Sequence, residues 1–473
     1  MKARQPAVRP WRTWLLLALG LGAGACSVGP AYRRPAVSTP AAWKQASTNL
    51  SPEWPAAGWW HGFGSTPLDL LITQAQAGND DIAAAIARVH EADAQARIAG
   101  AALLPNLGVQ ASASRQRERP IASGAPITYD EYSPLLTASY ELDFWGKNRA
   151  AYEAARQAAQ ASRYDRETVA LTVVTSVALT YFEALEQHDR LAVAQDDLAN
   201  AQKILSGLEL EQTVGTITAL DVAQQATTVA ALNASIPPLE QQLQQSLDAL
   251  AILIGQTPES LDVEAGSLEQ ITAPAVVAGL PSELLARRPD VASAEAQLKA
   301  ANADIGVARA AYFPSIDLTA SGGFASTALS TLLTPESRVF ALSAALSDTI
   351  FDAGARSGQV QYSRARYAEL LSDYHKAVLS ALGNVEDALT AVHQTAEQEL
   401  RQRYSVDKAR QAFEYSQTQM QAGTTNILTV LNTEVALFTA KDTLVQVKYQ
   451  HLQALVDLYQ ALGGGWQQSQ ANP

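Results

Sequence analysis

A single cysteine, Cys26, means that no disulfide can form within the chain. Histidine is nearly as scarce: His61, His90, His188, His375, His393 and His451 are scattered and lack the spacing of zinc ligands. His90-Glu91 has no second histidine to complete a zincin helix, and neither a nucleophile elbow nor a phosphate-binding glycine loop occurs. No catalytic site, cofactor or metal is expected on these grounds. Basic residues are outnumbered, 34 against 47 acidic, and the net charge of −13 excludes a basic footprint for nucleic acid. Long apolar runs are missing too. The best candidate beyond the N-terminus, Val169–Phe182, is interrupted by Thr172, Thr175, Ser176 and Thr180. It falls short of the roughly 20 residues that a spanning helix needs. Any membrane-crossing part must therefore be built from strands. Glycine and proline gather at a few points between long stretches rich in Ala, Gln and Leu, a pattern of long helices broken by short special segments.

What is present begins with an export signal over residues 1–25. Lys2, Arg4, Arg9 and Arg12 form a positive start without an acidic residue, Trp14–Leu21 is a short apolar core, and Gly22–Ala25 supplies small residues. Cys26 follows directly, as in a bacterial lipobox, where the thiol is acylated after cleavage. A covalent lipid, diacylglycerol plus an N-acyl chain, is the modification expected on Cys26. The alternative is a free cysteine just past an ordinary secretory signal, but a lone exported thiol would be exposed to oxidation. Ser27, where Asp would retain a lipoprotein at the inner membrane, favours the outer membrane. Residues 26–64 read as a lipid-anchored extended segment.

The rest of the chain is duplicated. Asp81-Ile82-Ala83-Ala84-Ala85 runs parallel to Asp290-Val291-Ala292-Ser293-Ala294, and Ile98–Pro105 to Val307–Pro314, each 209 positions on. Phe144-Trp145-Gly146 matches Asp352-Ala353-Gly354, and Val214-Gly215-Thr216 matches Ala422-Gly423-Thr424, each 208 positions on. The repeats span 65–272 and 273–462, with a tail at 463–473 that a run of glycines frees from the last helix. Each repeat reads as helix, strand, strand, helical hairpin, so the fold is mainly α with β.

In the first repeat a helix is expected to start at Ser65-Thr66-Pro67, with Thr66 as cap, and to end before Pro105. Period-two alternation then predicts strands at about 107–117 and 132–144, and in the second repeat at about 315–325 and 338–350. One face carries Leu107, Val109, Leu136, Ala138, Leu318 and Leu342; the other is rich in Ser and Thr. Four strands cannot close a barrel, which takes about eight, and open edges are not tolerated in lipid. The strands of one chain must join those of other copies.

The helical stretches carry narrow leucine stripes. Leu191, Ala194, Leu198, Ala201, Leu205 and Leu208 step by three and four, and so do Leu371, Tyr374, Val378, Leu382, Val385 and Leu389. These are coiled-coil seams. The hairpins turn near 215 and near 423. Gly215 and Gly423 suit the left-handed position that ends a helix, and Thr218 and Thr425 are candidate caps. Each turn can be a plain helical hairpin or a docking tip at the far end of a tube.

The stretches Cys26–Pro35 (CSVGPAYRRP) and Gly279–Asp290 (GLPSELLARRPD), the Phe313-Pro314-Ser315 step and the two glycine tips make the family recognisable. Over nearly all of the mature length the chain resembles the outer-membrane factors of the TolC/OprM type, in particular the NodT-type lipoprotein branch of tripartite efflux systems. The resemblance implies a homotrimer, with a twelve-stranded β-barrel in the outer membrane continuous with a long periplasmic α-helical barrel. It implies a channel that passively conducts drugs or other small toxic compounds from an RND-type inner-membrane pump and its periplasmic adaptor protein. It also implies contact with outer-membrane lipid. By motif position, Gly215, Thr216, Asp221, Gly423 and Thr424 are candidate adaptor contacts, and Leu428 and Asn432 are periplasmic gate candidates. Leu428 stands for an apolar constriction, and Asn432 occupies a site that is often Asp. Family members tend to carry Arg four residues before each tip glycine, where this chain has Glu211 and Gln419. The rival reading is a periplasmic coiled-coil lipoprotein, an adaptor or envelope spacer, which would not require two strand pairs in matching places.

Overall fold

The computed structural model describes residues 28–44, 54–119, 125–261, 266–276 and 278–467. The expected signal segment and Cys26 lie outside them, as do the end of the tail and most of the β1–β2 turn. In chain order the elements are α1 (Thr66–Gly78), α2 (Asp80–Ala101), β1 (Asn106–Glu118), β2 (Ile127–Glu141), α3 (Lys147–Thr213), α4 (Ala219–Leu253), α5 (Pro289–Ala310), β3 (Ser315–Phe324), β4 (Arg338–Ser347), α6 (Ala355–Gln421) and α7 (Ile427–Ala461). The duplication governs the lengths. Helices α3 and α6 both have 67 residues, and α4 and α7 both have 35. Each of these pairs starts 208 positions apart, and α2 and α5 start 209 apart. The one-residue change of offset arises between α2 and α3 and between α5 and α6, their counterparts.

The chain divides into two compact units. One comprises Met1–Pro35, Val89–Ser162 and Ala294–Tyr374 and contains the sheet; the other comprises Ala36–Arg88, Arg163–Ser293 and His375–Pro473 and contains the helical hairpins. Helices α2, α3, α5 and α6 contribute to both.

In the first unit the four strands form an antiparallel meander in the order β1-β2-β3-β4. Its outer edges, on β1 and β4, have no strand partner among the described residues. Strand β2 starts earlier than the alternation suggested, at Ile127, because it pairs with β1 along its whole length, from Glu118↔Ile127 to Asn106↔Ser139. It stops at Glu141 rather than near 144 because Asp143 turns to cap α3, its carboxylate accepting from the backbone N–H of Asn148 (3.0 Å) and Arg149 (2.8 Å). Strand β4 stops at Ser347 rather than near 350, and Asp352 caps α6 in the same way through Gly354 and Arg356. The N-terminal segment lies along α5: the Asn302 amide donates to the Pro30 carbonyl (2.8 Å), and Arg34 pairs with Glu295 (3.0 Å).

In the second unit, the expected first helix is two helices. Asn79 interrupts it, accepting with its side chain from the N–H of Asp81 and Ile82 and donating to the Leu253 carbonyl. Short polar side chains compete with the helix for its own amides in this way. Ser65, not Thr66, is the cap of α1, accepting from Leu68 N–H. The segment 26–64 is not simply extended either. A short 3-10 turn over Trp59–Phe63 inserts Trp59 and Phe63 into the core, where Trp59 stacks on Tyr459 at 4.6 Å and Phe63 meets Phe182 at 5.1 Å. An 18-residue window of α3 reaches a mean hydropathy of 1.6, enough by length and composition to cross a membrane, but half of it is buried in protein. Val173, Val174, Val177 and Phe182 of α3 belong to this same core. The glycines at 463–465 do more than free the tail. All three have positive φ, and a Cβ on Gly463 would collide with the Arg287 carbonyl oxygen.

Candidate functional site

Two exposed surfaces are the candidates for function, one in each unit. On the sheet, cross-strand register places the alternating apolar residues in rows. Leu107, Ala138, Ala320 and Leu342 form one row, and Val109, Leu136, Gly322 and Phe340 the next. Opposite them lie rows such as Asn106, Ser139, Thr319 and Ser343. The apolar rows are uncovered: Val109 is 81% exposed, Phe340 84% and Leu342 78%. A contiguous apolar face of this kind on a sheet calls for a cover, either protein or lipid. At the helix end of the sheet Trp145 stacks on Phe313 (4.5 Å), touches Phe144, and donates to the Pro314 carbonyl (2.8 Å). Aromatic residues with one apolar and one polar side concentrate at membrane–water interfaces.

The hairpin tips are built alike. In the first, Gly215 has φ +79° and its N–H donates to the Gln212 carbonyl; Thr216 donates to the Glu211 carbonyl through both N–H (3.1 Å) and hydroxyl (2.9 Å). In the second, Gly423 has φ +70° and donates to Met420, and Thr424 donates twice to the Gln419 carbonyl (2.9 and 3.0 Å). Glu211 and Gln419 thus enter the turns through backbone oxygens while their side chains are exposed. The turn does not depend on the side chain at these positions. Thr218 caps α4 in a full capping box with Asp221, whose carboxyl is held below the usual range by the Thr218 hydroxyl and N–H. The second tip departs from expectation: Asn426, one residue beyond Thr425, is the cap, accepting from Thr429 N–H (3.1 Å). Residue 426 is the 208-offset equivalent of Thr218.

Behind the tips the two hairpins share an apolar cluster, in which Leu208, Ile217 and Val222 of the first meet Ile427, Val430 and Leu431 of the second. This turns another face of α7 outward. Leu428 is 48% exposed, and Asn432, four residues on, is exposed beside it, followed by Val435. The structure brings the two gate candidates onto one open helix face.

Further along the same hairpins lies a polar seam that the leucine stripes did not announce. Arg190 of α3 pairs with Asp442 of α7 (2.7 Å), Lys441 with Asp197 (2.8 Å), and His451 with Glu399 (2.8 Å). Gln225 of α4, fully buried, donates to the Ala201 carbonyl (2.9 Å). Burial pushes Glu186 up to about 7 against the pull of Arg190, and it raises Asp197 despite Lys441. Glu399 is lowered by its bond from His451. Among the described residues no group of three His, Cys, Asp or Glu could hold a metal ion.

The model of one protein family, outer membrane efflux protein, matches residues 71–256 and again residues 280–464. The chain belongs to that family. The two matches begin 209 positions apart, in the register of the repeats. Over 452 residues the chain is 41% identical to the pyoverdine export outer membrane protein OpmQ of Pseudomonas aeruginosa, covering 94% of this chain and 95% of that one. It is 32% identical over 449 residues to the cation efflux system protein CusC of Escherichia coli, with 94% and 96% covered. Among solved structures, the outer-membrane channel OprN superimposes with a TM-score of 0.89 at 27% identity, over 94% of this chain and 100% of that one. This chain is therefore an efflux channel protein of the bacterial outer membrane.

Proposed function

We propose that three copies of this chain close their sheets into one twelve-stranded barrel, and that the assembly passively conducts small toxic compounds, drugs among them, out of the cell. The observation that carries this reading is the open meander with an uncovered apolar face and two edges that have no strand partner among the described residues. In hydrocarbon each unpaired amide or carbonyl costs several kcal/mol, so both edges must find strands. With four antiparallel strands per chain, β1 and β4 run in opposite directions, and the joint between copies is antiparallel like every other pairing. The number three comes from the family resemblance.

No bond is made or broken in this reading, and the chain is not an enzyme. Energy comes from an RND-type inner-membrane pump, reached through a periplasmic adaptor protein that docks on the tips at Gly215, Thr216, Asp221, Gly423 and Thr424. The exposed face of α7 lines the closed end, with Leu428 as an apolar constriction and Asn432 beside it. Relatives named for pyoverdine export and for cation efflux align with this chain over nearly its full length. That supports a common conduit whose cargo is chosen upstream. A lipid on Cys26 would hold the N-terminal segment in the outer membrane.

Native mass measurement of the detergent-extracted protein tests the assembly, with three subunits expected. A monomer without heat-sensitive barrel structure would refute it. Lipid labelling should be lost in Cys26→Ser, and labelling that persists would refute acylation at that residue.

A further inference from the structure

In the polar seam, Asp197 (α3), Gln225 (α4), Glu434 and Lys441 (both α7) form a cluster between the two hairpins. Gln225 is 0% exposed, and Asp197 and Glu434 are 8% exposed. The cluster holds five side-chain oxygens. Two have donors: Lys441 Nζ reaches Asp197 Oδ1 at 2.8 Å, and Gln225 Nε2 reaches Glu434 Oε2 at 3.4 Å. The other three, Asp197 Oδ2, Gln225 Oε1 and Glu434 Oε1, are buried and have no donor. Gln225 has none left to give, because its second amide hydrogen goes to the Ala201 carbonyl. The charges are as unbalanced as the hydrogen bonds. Asp197 and Lys441 cancel, which leaves an ionised Glu434 buried with no cation of its own. One proton neutralises Glu434 and, on Oε1, turns one of the three open oxygens into a donor for one of the other two.

We propose that Glu434 is a buried proton-binding site, neutral while the hairpins are packed, whose ionisation loosens the second hairpin. The proton comes from solvent water and returns to it. Burial, with Asp197 adding to it, displaces the Glu434 titration upward, against a smaller opposing pull from the Gln225 amide. The groups facing it are few. Helix α3 brings Asp197, whose own partner is Lys441 of α7, and α4 brings Gln225, which does not titrate. Helix α6 packs on α7 through the Ser416–Thr433 hydroxyl pair (2.7 Å) and through the apolar Val406, Ala409 and Phe413, which meet Leu437, Ala440 and Leu444. Arg190, Glu186 and Asp442 form the next group along the seam. The site is confined to one place in the duplicated architecture, since the 208-offset counterparts of Glu434, Asp197 and Lys441 are Ala226, Ser405 and Asn233. A folded-state pKa above the unfolded one gives stability that is complete below the unfolded value and lost as pH rises through the folded value. The hairpins therefore hold together in acid and loosen in base.

The proposal concerns the helices that carry the gate candidates, but its test does not depend on the gate reading. In the full-length protein in detergent, infrared spectroscopy at neutral pH should show the carbonyl stretch of a buried neutral carboxylic acid, absent in Glu434→Gln. Amide exchange of residues 427–445, corrected for intrinsic chemical rates, should rise roughly tenfold in the wild type as pH rises through the range in which that band is lost. It should stay flat in Glu434→Gln, whose amide keeps a donor in place. Asp197→Asn removes a neighbouring negative charge, so both the loss of the band and the rise in exchange should move to lower pH. That shift keeps the site testable even if Glu434→Gln fails to assemble. Absence of the band, or the same pH response in wild type and Glu434→Gln, would overturn the proposal, as would an unshifted titration in Asp197→Asn.

Discussion

Replacing Lys441 by Met should leave Asp197 as an uncompensated charge in the seam between α3 and α7. Asp197 is 10% exposed at its side chain and Lys441 24%, so the pair is mostly but not fully shielded from water. Removing one partner of a fully buried pair costs about 3–5 kcal/mol. The loss also has a ceiling. Asp197 can take up a proton instead, which at neutral pH costs at most about 4 kcal/mol from an ordinary aspartate pKa. With the residual exposure of Lys441, about 2–3 kcal/mol remains, or a factor of roughly 30–150 in the local opening equilibrium. Burial raises Asp197 even with Lys441 present, so the pair does not fully recover its own desolvation. The double replacement Asp197→Leu with Lys441→Met should therefore return to within about 1 kcal/mol of the wild type. Amide exchange over residues 437–445 at fixed pH reads both. A change below about threefold in Lys441→Met, or a double variant as loose as the single one, would refute the reasoning.

Asn426→Ala removes the cap of α7 and should cost about 1 kcal/mol, seen as roughly fivefold faster exchange at the first amides of that helix. Phe63→Ala empties a fully buried position between Trp59 and Phe182 and should cost about 3–5 kcal/mol, lowering the thermal midpoint of the assembled protein. Glu186, pushed up to about 7 by burial, contributes stability below the ordinary glutamate pKa that is lost as pH rises through about 7. Glu186→Gln should flatten the fall of the thermal midpoint across that window.

Much of the architecture was legible because it is written twice. The matched landmarks at offsets of 208 and 209 foretold the same order of elements in the two repeats, and residue alternation foretold which side of the sheet is apolar. Of the seam positions, Ala194, Ala201, Leu208, Tyr374, Val378, Leu382 and Val385 are buried, while Leu191, Leu198, Leu205, Leu371 and Leu389 are half-buried. Misreadings fell where a local competitor decides. Ser65 and Thr66, or Thr425 and Asn426, are adjacent residues of similar capping ability, and only the path of the backbone selects one. Asn79 reads as an ordinary polar residue inside a helix until its amide is seen to reach the Leu253 carbonyl, 174 positions away. The polar seam escaped for a related reason. Asp197, Glu434 and Lys441 each look like solvent-facing charges of a coiled coil, and only the packing of α7 against α3 and α4 buries them together.

The amino-acid sequence alone determined the repeat, the order of its elements, the absence of enzyme motifs and the need for partner strands, because these follow from periodicity, composition and hydrogen-bond counting along the chain. The tertiary structure decided the sheet register, the outward face of α7 and the buried cluster at Glu434, because each depends on which of several chemically similar faces meets another helix or strand.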